Sequence, residues 1–173
     1  MSLTTLDIKE PGINKLPPGV ERYIVEGGGL TGIQIFPDDE IELINNEGNQ
    51  ICEVSVFNKD GKSELSILGL KESKSNSEIK KILFKKDETS LQALLQLKKR
   101  NLNIEKSKSS IIFDKETKSG ESIKIKSKDK CYCIIAAPGK EMMIHEQNPP
   151  TELTVMVKRS IIKDDKEFSI IPD

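Results

Sequence analysis

Residues 30 to 57, LTGIQIFPDDEIELINNEGNQICEVSVF, limit what this chain can fold into more than any other stretch, because two alternating apolar runs are joined by a tight polar connection. Ile33 and Ile35, then Ile41 and Leu43, point one way, while Gln34, Glu40 and Glu42 point the other. Pro37-Asp38-Asp39 interrupts the pattern as a turn. Asn45 to Asn49 supplies backbone-permissive residues for a reversal, and Ile51 to Phe57 resumes an extended pattern. Asn58-Lys59-Asp60-Gly61 reverses the chain again, since Asp-Gly is a pair that adopts positive φ. The stretch predicts a compact antiparallel unit on which the remainder packs.

Elsewhere the same logic yields further short strands. Residues 1–19 hold Pro11-Gly12 and Pro17-Pro18-Gly19 and are expected to form an extended arm, followed by one β-rich domain over 20–173. ERYIVE at 21–26 reads as a strand ended by Gly27-Gly28-Gly29, a turn that lacks the GK[ST] of a phosphate loop. ELSILGL at 64–70 and SIIF at 110–113 read as strands, and Ile79 to Phe84 fits either strand or helix. Leu91, Leu94 and Leu95 have helical spacing, with Thr89 or Ser90 as the expected cap and Lys98, Lys99 and Arg100 at the favourable C-terminal end. Ile123 and Ile125 suit an edge strand, and CYCIIAA at 131–137 is the most continuous apolar run, hence core. Leu153, Val155 and Val157 alternate with polar neighbours, and Phe168, Ile170 and Ile171 make a weaker terminal strand. The expected fold is all-β, a sandwich or partly closed barrel of about nine or ten short strands with one short helix at roughly 89–100.

Charge and cysteine usage narrow the function classes. Lys plus Arg number 27 against 28 for Asp plus Glu in 173 residues, so no whole-chain field steers nucleic acid or an anionic membrane. The lysine-rich stretches are interleaved with Ser and Glu rather than aromatics, which argues against nucleic-acid binding. No apolar run reaches the length of a membrane span, and the N-terminus lacks a basic start and apolar h-region, so a cytoplasmic chain is expected. An odd set of cysteines, Cys52, Cys131 and Cys133, suits a reducing compartment.

Chemistry-bearing residues are few. Strand alternation is read as placing Cys131 and Cys133 on opposite faces, unable to clasp one metal, with Cys52 near enough to approach one of them across the sheet. All three thiols are expected to be small buried hydrophobes. His145, the single histidine, sits among Glu141, Glu146 and Gln147 in KEMMIHEQNPP, a set compatible with general-base work or, with a cysteine, with zinc or iron. Ligand scarcity favours a chain that binds no cofactor of its own. Met142, Met143 and Ile144 form the apolar tip of the same loop, which Pro138-Gly139 and Pro149-Pro150 stiffen at its ends, and they are expected to be an interface. A homo-oligomer is one arrangement that would use them.

Two segments carry a family resemblance. YIVEGGGLTGIQIFPDDEIELINNEGNQICEVSVFN, through Asp39, Ile44, Glu47, Gly48, Gln50, Glu53 and Phe57, resembles the opening of the urea-carboxylase-associated domains. CYCIIAAPGKEMMIHEQNPPTELTVMVKR, through Pro150, Thr151, Glu152 and Leu153, resembles their closing strand, proline-containing loop and final strand. Such domains also precede an aminomethyltransferase-like, tetrahydrofolate-binding module in enzymes that demethylate methylated amines, including trimethylamine N-oxide. Metal-holding members supply Cys and His ligands in the middle of the domain, where residues 84–110 here have neither. The resemblance therefore implies a non-catalytic copy of the scaffold, with an aminomethyltransferase-like subunit or domain as partner and tetrahydrofolate on that partner. The end at Ile171-Pro172-Asp173, just after a strand, is expected to be a junction. Two other classes stay open: a small metal-dependent enzyme using His145 with Glu141 or Glu146, and a stand-alone ligand-binding β protein.

Overall fold

The computed structural model describes residues 17–73, 78–114, 116–139 and 149–160. Eight strands form among them: β1 (Val20–Val25), β2 (Leu30–Ile35), β3 (Glu40–Asn45), β4 (Cys52–Phe57), β5 (Ser109–Ile112), β6 (Ser122–Lys126), β7 (Cys131–Ala136) and β8 (Leu153–Lys158). They build two open antiparallel sheets of order β1-β8-β3-β6 and β2-β7-β4-β5. The fold is an all-β sandwich. The expected terminal strand at Phe168 to Ile171, and residues 1–16 of the expected arm, lie outside the described residues.

The unit from 30 to 57 is compact, but its strands do not pair with one another. β2 joins one sheet and β3 the other, each finding its partners late in the chain, β2 on β7 and β3 on β8 and β6. The cause is the Pro37-Asp38 turn, where Asp38 takes φ 67° and the Asp39 side chain accepts the Phe36 N–H at 2.9 Å, so the chain arches from sheet to sheet.

Burial follows each strand's surroundings. In β1 and β3 buried and more exposed positions alternate, as in a sheet with one wet face, whereas β4 and β7 are buried at every position. Between the sheets pack Tyr23, Val25, Ile41, Leu43, Val155 and Val157 from one side and Ile33, Ile35, Val54, Val56 and Ile135 from the other. Each large apolar side chain so enclosed contributes about 1.5–3 kcal/mol. The second face of β2-β7-β4-β5 offers Leu30, Phe57, Tyr132, Ile134 and Ala136 to two helices, α1 (Glu78–Leu83) and α2 (Glu88–Lys99), which answer with Ile79, Leu83, Ala93 and Leu97.

The helix expected at 89–100 is therefore α2, and α1 resolves the ambiguous segment at 79–84 as helix. Asp87 caps α2, accepting the Ser90 N–H at 2.7 Å, while the Ser90 hydroxyl donates to the Ile82 carbonyl at 2.7 Å. Thr89 is exposed in the first turn. The ELSILGL segment is not a strand. Leu65–Leu68 forms one 3-10 turn that closes on Gly69 at φ 68°, and Leu65, Ile67 and Leu68 plug an end of the inter-sheet core. Their burial needs two adjacent apolar residues, Ile67 and Leu68, on one side, which strand alternation forbids.

Candidate functional site

The loops after β1, β3, β5 and β7 gather at one end of the sandwich, where the segments carrying the family resemblance meet. Gln50 is the centre of this end. Its Nε2 donates to the Pro138 carbonyl at 2.9 Å and to the Ile51 carbonyl at 2.8 Å, while its Oε1 accepts the Thr151 N–H at 2.8 Å. One buried side chain thus brackets both ends of the segment that holds His145. Asn45 donates to the Gln50 carbonyl at 2.8 Å, and Asn46 reaches across to Glu152 at 3.1 Å while accepting from Thr154 at 2.9 Å. Gly48, at φ 82°, lies so close to Thr117 and Lys118 backbone that an added Cβ would sit 2.8 Å from the Thr117 carbonyl oxygen. Gly27 is as tightly placed, because its Cβ would fall 2.2 Å from the Pro150 carbonyl oxygen. The three glycines thus form a turn packed against the base of the same loop.

The opposite end holds a buried ionic network that sequence reading missed. Arg159, just after β8, has a side chain only 8% exposed and binds Glu21 with two donors at 2.8 Å each. Its Nη1 donates to Asp39 at 2.7 Å and to the Gln34 carbonyl at 3.0 Å. The other Asp39 oxygen accepts the Ser160 N–H at 2.9 Å, and the Tyr23 hydroxyl donates to Glu21. Burial alone would lower the basicity of Arg159, but its bonds to Glu21 and Asp39 outweigh that and hold the guanidinium charged. Burial, reinforced by Glu21, pushes the Tyr23 hydroxyl above the ordinary tyrosine range, so it stays a proton donor. Parity was the available signal, since Glu21 shares a strand face with the buried Tyr23 and Val25.

Cys131 and Cys133 adjoin this network and overturn the expectation of opposite faces. Residues two apart on a strand share a face, and both thiols point into the inter-sheet core with sulfurs 3.8 Å apart. That contact lowers the Cys131 pKa and, together with burial, raises that of Cys133. Cys52 is fully buried, and its enclosure pushes its thiol upward. The three are free and buried, as small hydrophobes would be. Among the described residues no three His, Cys, Asp or Glu side chains converge to hold a metal. His145, Glu141, Glu146, Met142, Met143 and Ile144 lie outside the described residues.

The other residues that carry the resemblance serve the fold. Glu53, fully buried, accepts the N–H groups of Glu78 at 2.9 Å and Ile79 at 3.2 Å, capping α1 from the sheet. Phe57 and Leu153 are core, and Asp39 shapes the arch and holds Arg159.

Nearly the whole chain has a sequence counterpart in a longer protein. The chain is 31% identical over 167 residues to the trimethylamine-oxide aldolase of Ruegeria pomeroyi. The match takes in 96% of this chain and 21% of that protein, so the chain spans about a fifth of its relative's length. No family model matches the chain. No helix among the described residues is long and apolar enough to cross a membrane.

Proposed function

We propose that this chain is a non-catalytic scaffold module of a cytoplasmic enzyme of methylated-amine metabolism, held to an aminomethyltransferase-like partner that carries the tetrahydrofolate. The observation behind this reading is that nearly the whole chain aligns with one fifth of a trimethylamine-oxide aldolase. A module retained at that extent keeps its scaffold, and the likeness to urea-carboxylase-associated domains gives the scaffold a type. The polar side chains at the two ends of the sandwich support it too. Arg159, Glu21 and Asp39 are engaged with one another, and Gln50 and Asn46 brace loops, so these side chains serve the fold.

The Gln50 bracket bears on the loop as well. A segment whose two flanks are fixed by one buried amide is suited to a docking role, and we assign its Met142, Met143 and Ile144 to partner contact. The experiment reconstitutes the aminomethyltransferase-like polypeptide with and without this chain and follows loss of N-methyl groups from trimethylamine N-oxide by proton NMR. Demethylation that depends on both polypeptides is the expected result. Demethylation by this chain alone, with about one zinc or iron per chain, would replace the scaffold reading with the metal-dependent enzyme.

A further inference from the structure

The helical layer over β2-β7-β4-β5 has an outer face that the described chain leaves open. On α2, Ser90, Ala93 and Leu97 meet the rest of the protein, and a helix with no other duty would be polar elsewhere. Instead Leu91 and Leu95, one turn apart, are 50% and 57% exposed, and Phe84, just after α1, is 41% exposed. Leu94 carries the apolar surface from them into an open groove of about 320 Å³, which Phe84, Lys98, Leu102 and Ile104 also line. Most of the large apolar side chains exposed among the described residues are thus on this one layer.

Its charge is as uneven as its hydropathy. Residues 78–108 contain nine Lys or Arg against four Asp or Glu, in a chain where the two classes otherwise nearly cancel. Lys81 pairs with Glu78 and Lys108 with Glu72, but Lys85, Lys86, Lys98, Lys99 and Lys106 are exposed and make no ion pair with a described residue. Lys98 and Lys99 stand one turn beyond Leu94 and Leu95, so the lysines border the leucines on one strip. An apolar centre with a cationic border complements a helix that is apolar on one side and acidic at its edges.

We infer that the outer face of α2, with Phe84, docks an acidic amphipathic segment of the partner polypeptide, a second contact besides the 138–150 loop. The identity of that polypeptide rests on the function proposed above; the chemistry of the face does not. The matched region is 21% of the aldolase, so a module of this kind has neighbouring sequence there from which such a segment could come. A protein segment fits better than an anionic lipid surface, because Leu94 and Phe84 lead from the exposed leucines into a groove, lined also by Leu102 and Ile104, that a side chain can enter and a flat bilayer surface cannot. Nucleic acid fits less well, since Phe84 is the single aromatic side chain among the described residues lining the groove to stack on a base.

The test titrates the full chain with a fluorescent synthetic helix of Glu and Leu in amphipathic order, with a scrambled peptide of the same composition and with phosphatidylserine vesicles, and sediments the chain alone. The ordered peptide should bind, the scrambled one should not, and Leu91→Ser with Leu95→Ser should weaken binding about tenfold or more. Lys98→Glu with Lys99→Glu should weaken it comparably and flatten its salt dependence. All four side chains are exposed, so unchanged circular dichroism and melting are expected and verify that the variants fold. Equal binding of the scrambled peptide, binding of vesicles in place of peptide, self-association lost with the leucines, or no binding at all would each overturn the inference. Because the titration uses this chain alone, it can fail while partner-dependent demethylation succeeds, and the converse.

Discussion

Removing the cation from the buried network should cost more than any other polar substitution in this protein. Arg159→Met keeps an unbranched apolar stem of similar reach while deleting the donors that hold Glu21, Asp39 and the Gln34 carbonyl at 2.7 to 3.0 Å. Glu21 and Asp39 are 6% and 1% exposed, so neither carboxylate can recover water in place of the guanidinium. Breaking a buried pair from one side costs about 3–5 kcal/mol, mostly because the charge left behind has no partner. With a urea slope of about 2 kcal/mol per M, the unfolding midpoint should fall by about 1.5–2.5 M. Adding Glu21→Gln to Arg159→Met should raise the midpoint again, since it neutralises one stranded charge. A fall below about 0.5 M, or a further fall on adding Glu21→Gln, would refute the claim that this network ties β1, the 36–39 arch and the end of β8 together.

Four other substitutions probe the remaining supports. Gln50→Leu strips the Thr151 N–H and the Pro138 and Ile51 carbonyls of a partner, with an expected loss of about 1–3 kcal/mol and faster hydrogen exchange at Thr151; unchanged exchange would contradict the bracket. Gly27→Ala drives a Cβ to 2.2 Å from the Pro150 carbonyl oxygen and should lower the melting temperature by several degrees, whereas Gly139→Ala meets nothing among the described residues nearer than Pro150 Cγ at 3.7 Å and should leave it nearly unchanged. The Asp87 carboxylate is held below its ordinary pKa by the Ser90 N–H, so its contribution to α2 is present above the unfolded value of about 4 and is lost as pH falls through the lowered folded value. The helicity deficit of Asp87→Ala by circular dichroism should therefore be present at neutral pH and vanish in strong acid; a deficit independent of pH would show that the charge plays no part.

Much of this architecture was legible because local pattern and tertiary role agree. Leu153, Val155 and Val157 alternate and are fully buried on one face of β8, and the unbroken apolar run of β7 is unbroken because a second sheet lies on one side and helices on the other. Pairing was not legible. The strands on either side of Pro37-Asp38 look like neighbours in sequence, yet one positive φ at Asp38 sends them to different sheets, a distinction that apolar spacing does not encode. The Leu65–Leu68 turn was misread because three apolar residues in four fit a strand or a plug equally well. The Arg159 network joins residues up to 138 positions apart, so it has no local signature beyond a glutamate on the buried face of β1. Asp39, Gln50 and Glu53 are three of the residues on which the resemblance rests, and their roles as arch, bracket and cap emerge only from the fold.

The central claim is that this polypeptide works as a module bound to another. Its most direct test is the native mass of the species isolated through a tag on this chain from cells grown on methylated amines. The expected mass is not a whole multiple of 19.4 kDa, the remainder being an aminomethyltransferase-like polypeptide in fixed ratio. A species whose mass is a whole multiple of 19.4 kDa, and which demethylates trimethylamine N-oxide unaided, would contradict it.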